Sequence, residues 1–250
     1  MKIAKEALFN LKYIFISILF VSLSTAQLPD YDLDNWVGSN FKENAHPFFR
    51  LISLQTTSNI VSSSSSESDI LIGFSSSIGV DYKRKNLYNR AGVLPMINGS
   101  IGIGSNLRLV GSLTGFSSQK DVVIFSSLGL TFYFGNTKES KSNWKFLFDR
   151  GTLEGADDFF LKTVGAKLIR GINSGESRWW YGIGTMFYTA GVHVRYSENE
   201  ETYRRRLEGK TQYIVVGINK NIGKNYFGEV ECRVHSSVLV MSLSFNRAIY

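Results

Sequence analysis

The segment 121–135 reads DVVIFSSLGLTFYFG. One parity, Val122, Ile124, Ser126, Leu128, Leu130, Phe132 and Phe134, is almost wholly apolar. The other holds Ser127, Gly129, Thr131 and Tyr133 among Val123 and Phe125. Alternation with period two marks a strand with two unlike faces. Strands of globular proteins mostly use about five or six residues, whereas a tilted strand of about ten crosses a bilayer. The aromatics Phe132, Tyr133 and Phe134 crowd one end, as in the girdle at a membrane interface.

The pattern recurs from Asp69 onward. Ile70, Ile72, Phe74, Ile78, Val80 and Tyr82 share one face against Asp69, Gly73, Ser75, Ser77, Gly79 and Asp81, with Leu71 the exception. Ile97, Ile101 and Ile103 alternate with Asn98, Ser100 and Gly102. Leu107, Leu109 and Leu113 oppose Arg108, Ser112 and Thr114. A shorter strand starts at Trp144, Phe146 and Phe148, followed by a loop over 151–158. Phe160, Val164, Ala166 and Leu168 then oppose Thr163, Gly165 and Lys167. In 177–196, Tyr181, Ile183, Thr185 and Phe187 face outward. The parity then changes, with Val192 and Val194 outward and His193 and Arg195 inward, which predicts a bulge near 189–191. Segments 208–221, 226–234 and 238–246 complete the series. Polar stretches at 83–95 and 197–206 read as the longer loops, and 105–106, 136–143, 171–176 and 223–225 as turns.

This reading gives about ten antiparallel strands, with eight or twelve as neighbouring solutions, and short turns alternating with longer loops as in outer-membrane barrels. An N-terminal leader precedes them. Lys2, Lys5 and Lys12 make a basic start, 13–23 is an apolar run, and Ser24-Thr25-Ala26 offers a cleavage site, so 1–26 reads as a signal peptide. Residues 27–68 read as a periplasmic lead-in. Within it, 48–57 offers one extra short strand, and Ser62 to Ser66 form a low-complexity run. Cys232 is the single cysteine, so no intramolecular disulfide staples the fold. A closed barrel holds without one, because every strand is paired.

The chain resembles the small bacterial outer-membrane β-barrels, through its leader, its repeated two-faced strands and its terminal Tyr250. In those proteins the last strand carries apolar residues at alternate steps back from the terminal aromatic. Here Ala248, Asn246 and Ser244 occupy those steps, and the apolar set sits one residue off, on Phe245, Leu243 and Met241. The resemblance covers residues 69–250. It implies location in the cell outer membrane, contact with outer-membrane lipid, and handling by the barrel-insertion machinery. It names no activity.

Charge and candidate chemistry refine this. The net charge of +7 is dispersed along strands and loops, and a nucleic-acid partner would want a clustered stripe. Asp81, Arg108, Lys167, Glu229, Glu231 and Arg233 lie on the polar faces, hence in the lumen. There they must pair or contact a ligand, because an unpaired buried charge is expensive. His235 and Ser237 lie two apart in an extended stretch, which points them the same way. A His beside a Ser hydroxyl is the minimum for base-assisted attack, and the spacing is similar to that of outer-membrane lipid A deacylases. No orienting acid is identifiable. His46 and His193 have no partner at metal-ligand spacing, so neither a metal nor another cofactor is expected. Glu198, Glu200, Glu201 and the run 204–206 form a charged loop able to meet cations or lipopolysaccharide.

The expectation is therefore a non-enzymatic outer-membrane barrel with a structural, narrow-pore or small-ligand role. Two alternatives stand beside it. One is an outer-leaflet lipid hydrolase using His235 and Ser237, and the other is an exported soluble β-barrel binding an apolar ligand. The facing makes Leu128→Arg costly in the bilayer and Ser127→Arg, on the polar face, milder.

Overall fold

The two-faced segments become ten antiparallel strands. They are β1 (Ile70–Asp81), β2 (Val93–Gly104), β3 (Leu107–Ser118), β4 (Asp121–Phe134) and β5 (Ser142–Glu154), then β6 (Phe159–Ser174), β7 (Ser177–Arg195), β8 (Thr202–Asn221), β9 (Tyr226–Val234) and β10 (Val238–Ile249). Each pairs with its chain neighbours, and β1 pairs with β10 from Ile70–Ile249 to Asp81–Val238, which closes the barrel. The computed structural model describes residues 31, 33, 39–58, 70–83, 92–118, 121–134, 142–174, 177–195, 202–223 and 225–249. The expected signal peptide, the serine run and Tyr250 lie outside the described residues, as do most of the loop expected at 83–95 and of the turn expected at 136–143.

The outward face is apolar. Leu128 is 60% exposed, Ile183 64% and Val122 66%, while Ser127, Thr131 and Lys145 are buried on the other face. Exposed side chains of this kind on every strand are unstable in water and at home in hydrocarbon. Among the described residues no helix is long and apolar enough to cross a membrane; the strands do it. The register shows their tilt. One row of outward partners runs from Leu107 at the turn end of β3 through Phe132, Phe146, Leu168, Ile183 and Ile214. It ends on Val234, at the loop end of β9. A row that starts at one rim and finishes at the other is the geometry of inclined strands in a closed sheet. Aromatics gather at the turn end: Trp144 under Arg170, Tyr226 stacked on Phe245 and under Arg247.

The largest departure from expectation is inside. The helix α1 (Ser39–Gln55) precedes the strands and lies against β1, β7, β8 and β10. Phe41, Ala45, Phe48, Phe49 and Ile52 are fully buried at helical spacing, and so are Leu51 and Leu54 on another side. A helix apolar around most of its girth has to be enclosed. The residues expected as a periplasmic lead-in, and 48–57 expected as a short strand, are thus over 39–58 a plug within the lumen. The segment begins at the loop end, where Tyr31 packs on Phe116 and Phe159 and the Leu33 amide donates to Asp158. It ends near mid-barrel, at Ser58. Gly79 on β1 makes room for it, since a Cβ there would run into the Leu51 side chain.

The plug also corrects the bulge expected at 189–191. The registers of β7 with β6 and β8 run without a break. Tyr188, Ala190 and Val192 point inward and are buried with Phe41, Phe48 and Phe49, while His193 faces out against Phe160. Inward positions turn apolar because they meet an apolar helix, which imitates a change of parity. The observed irregularity is at Gly102–Gly104, between β2 and β3. Strands also replace three expected loop stretches: β2 starts at Val93, β5 continues to Glu154, and β8 starts at Thr202.

Leu128 lies midway along β4 on the lipid face. Leu128→Arg is expected to cost about 2–4 kcal/mol, read from urea unfolding in lipid vesicles; an unchanged midpoint would refute the facing. Ser127→Arg loses its mild expectation, because the Ser127 hydroxyl meets that of Ser58 at 3.2 Å inside the lumen. The same measurement should show it at least as damaging as Leu128→Arg.

Candidate functional site: the plugged lumen

The polar faces of β6 and β9 bring three of the lumen charges together. Lys167 Nζ sits 2.9 Å from Glu231 Oε1, and Arg233 Nε sits 2.7 Å from the same oxygen. All three side chains are at most 1% exposed. Glu231 and Arg233 are two apart on one strand, so they share its inner face, and Lys167 reaches them from across the barrel.

This triad grips the end of α1. Arg233 Nη1 donates to the Leu54 carbonyl at 2.6 Å, and Lys167 Nζ donates to the Ser58 carbonyl at 3.0 Å. The last turn of a helix has carbonyls with no partner within the helix, and it carries the negative end of the dipole. Two cations held by one carboxylate supply both the donors and the charge. On β5, the strand beside Lys167's β6, Asp149 accepts from the Ser58 amide at 2.9 Å. Gln55 donates to the Gly92 carbonyl at 3.0 Å, and Ser77 donates to the Gln55 carbonyl at 3.2 Å. Near the loop end, His46 and Tyr188 are bonded at 3.1 Å. Burial raises the Tyr31 phenol above its ordinary pKa.

The other expected lumen residues also face inward and are buried. Asp81 accepts from the Lys83 amide at 2.9 Å at the loop end of β1. Arg108 donates to Ser100 at 3.1 Å between β2 and β3. Glu229 lies toward the turn end of β9, away from the triad. Lys145, Asp149 and Arg178 belong to the same polar interior and were missed. Lys145 and Asp149 sit on the inner parity of a strand read only for its aromatic face, and Lys145 places its ammonium 5.0 Å from the Tyr133 ring centre.

His235 and Ser237 are not brought together. His235 Nδ1 lies 2.7 Å from the Gln212 carbonyl and its Nε2 lies 3.2 Å from the Ser236 hydroxyl. Ser237 is buried, turned toward the lumen, and accepts a 3.4 Å bond from Arg50 of α1. Among the described residues no group of His, Cys, Asp and Glu could hold a metal ion.

A closed ten-stranded barrel with an apolar exterior, a tilted register and a polar, plugged interior is an outer-membrane β-barrel protein. No protein-family model matches the chain, and no curated protein matches it. Among solved structures it is similar to the KdgM porin in complex with disordered oligogalacturonate, at 13% identity over 72% of this chain and 99% of that one, with a TM-score of 0.41. It is similar to the translocator domain of the autotransporter NalP from Neisseria meningitidis, at 9% identity over 83% of this chain and 95% of that one, with a TM-score of 0.44. The N-terminal β-barrel domain of Pseudomonas aeruginosa OprF matches at 9% identity over 71% and 96%, with a TM-score of 0.31.

Removing the shared acceptor tests the triad. Glu231→Gln removes the carboxylate that both Lys167 and Arg233 touch in the buried interior and should destabilise the folded barrel by about 3–5 kcal/mol. Urea unfolding in vesicles reads the loss. A change below about 1 kcal/mol would mean the triad lies in contact with water.

Proposed function

We propose that this chain is a non-enzymatic outer-membrane barrel closed at rest by its own N-terminal helix. Its role is structural, and a small solute crosses it only when that helix is displaced. One observation carries the reading: α1 occupies the lumen and is gripped at its C-terminal end by Lys167 and Arg233. Ten strands lie near the size at which side chains alone fill a barrel, and a helix about 10–12 Å across with its side chains leaves little further room. The partners are the lipid around the apolar exterior and, during assembly, the insertion machinery of the outer membrane. The placement of His235 and Ser237 favours no second, hydrolytic reading.

The purified full chain in a planar bilayer should show no steady conductance, and deletion of 31–58 should produce it. Phe49→Asp buries an unpaired charge in the apolar half of the plug and should give intermittent openings. Steady current through the intact chain, or silence after the deletion, would contradict the proposal.

A further inference from the structure

The outward face is not apolar throughout. Across β5–β8, near the loop end, a groove of about 600 Å³ is lined by Phe148, Arg150, Phe160, Lys162, Phe187 and Arg206 among its residues. Register explains the convergence. Arg150 pairs with Val164, Val164 with Phe187, and Phe187 with Lys210, so these four form one outward row. Lys162 pairs with Thr189, one outward step nearer the loops. The apolar row described above reaches the loop-end rim at Ile214 and Val234, and Lys210 lies four residues beyond Ile214 on β8. The row descends from there toward β5. The β6–β8 side of the groove, with Lys162 and Lys210, therefore reaches the loop-end edge of the apolar belt, whereas Arg150 pairs with Leu128 and lies within the belt.

The positive charges are only partly compensated, by Glu208, which lies in the same outward row as Lys162 and Thr189. Arg206 bonds the exposed Glu208 at 2.7 Å, but among the described residues Arg150, Lys162 and Lys210 have no carboxylate partner. Lys162 and Lys210 instead rest over the rings of Phe160 and Phe187 at 5.5 and 5.4 Å. A second outward groove, about 520 Å³ across β1–β4, is lined by Ile70, Ile97, Ile101, Leu109, Leu113 and Leu128 among others, with no charged residue. Acyl chains suit both grooves; only the first also offers cations for an anionic headgroup.

We propose that the β5–β8 groove binds a phosphorylated lipid of the outer leaflet. Its phosphates meet Lys162 and Lys210 at the edge of the belt, and its acyl chains lie along Phe148, Val164 and Phe187. Lys162 and Lys210 stand on β6 and β8, two strand spacings or about 10 Å apart, so their flexible side chains can meet on the phosphates of a single headgroup. Thr189, paired with Lys162 on one side and Glu208 on the other, adds a hydroxyl donor.

Native mass spectrometry of the full chain, released from a zwitterionic detergent, tests this with diphosphorylated lipid A as the probe. The intact chain should bind it at least tenfold tighter than the same lipid with both phosphates removed. A basic residue at an anionic lipid surface contributes about fivefold in affinity, so the double change K162Q/K210Q should weaken binding by roughly twenty-fivefold. Heat-dependent gel migration verifies that the variant is folded; if it is not, the comparison of the two lipids on the intact chain decides alone. Equal binding of both lipids, or unchanged binding by the folded variant, overturns the proposal. Displacement by millimolar inorganic phosphate also overturns it, because the site would then recognise phosphate without the lipid.

Discussion

A bilayer offers no hydrogen-bond partner to the backbone, and every other feature of this molecule follows from that constraint. Strands cross only if each is paired on both sides, so β1 must find β10. Closure at ten strands leaves an interior that the wall's own side chains do not fill. Inward positions include Gly79, Gly165 and Gly184 beside polar residues, and a helix takes up the space. The apolar exterior and the helix in the lumen are thus two answers to one requirement, outside and inside the same sheet.

The interior divides along the barrel axis. Toward the loops the wall presents Phe116, Phe125, Phe159, Tyr188 and Val192 to the apolar side of the plug. At mid-barrel it presents Lys167, Glu231, Arg233 and Asp149 to the end of the helix. Apolar packing contributes area without direction, whereas the ion triad contributes little net stability once desolvation is counted but sets position sharply. A helix held only by the first would slide or rotate. Held by the second at its carbonyl end, it has one depth and one orientation. Glu231 keeps the two cations from repelling each other, so the grip is a property of three residues and not of the single contacts.

Much of this was legible in the sequence, and the parts that were not share one cause. Period-two alternation located all ten strands and, except at the loop end of β7, the facing it assigned them, because a bilayer enforces the pattern on one side of the sheet. The six inward charges were legible for the same reason. The plug was hidden because 48–57 precedes a series of strands and reads as one more short strand, although Phe41, Ala45, Phe48, Phe49 and Ile52 recur at helical spacing. A second signal lay in the exceptions. Val123 and Phe125 in β4 and Ala190 and Val192 in β7 broke the inward polar pattern, and each is buried where the plug's apolar cluster lies. Taken together, such breaks on several strands point to an apolar body in the lumen; taken singly, they read as noise or as a bulge. The triad's geometry was beyond reach, since Lys167 and Glu231 meet only across a closed barrel.

The order of events in assembly follows from where the helix sits. β1 and β10 lie at the two ends of the barrel sequence, so their pairing closes the longest loop and carries the largest entropic cost. α1 contacts β1 and β10 as well as β7 and β8. A helix already resting on β7 and β8 while the sheet is open offers β1 a surface beside the edge it must find. The apolar face of α1 is also covered only when the sheet wraps round it. Closing the sheet around the helix needs no threading of a chain end through a finished ring, a connection that folds avoid. The plug thus lies against both strands whose pairing closes the barrel, and Lys167, Glu231 and Arg233 fix it at that depth.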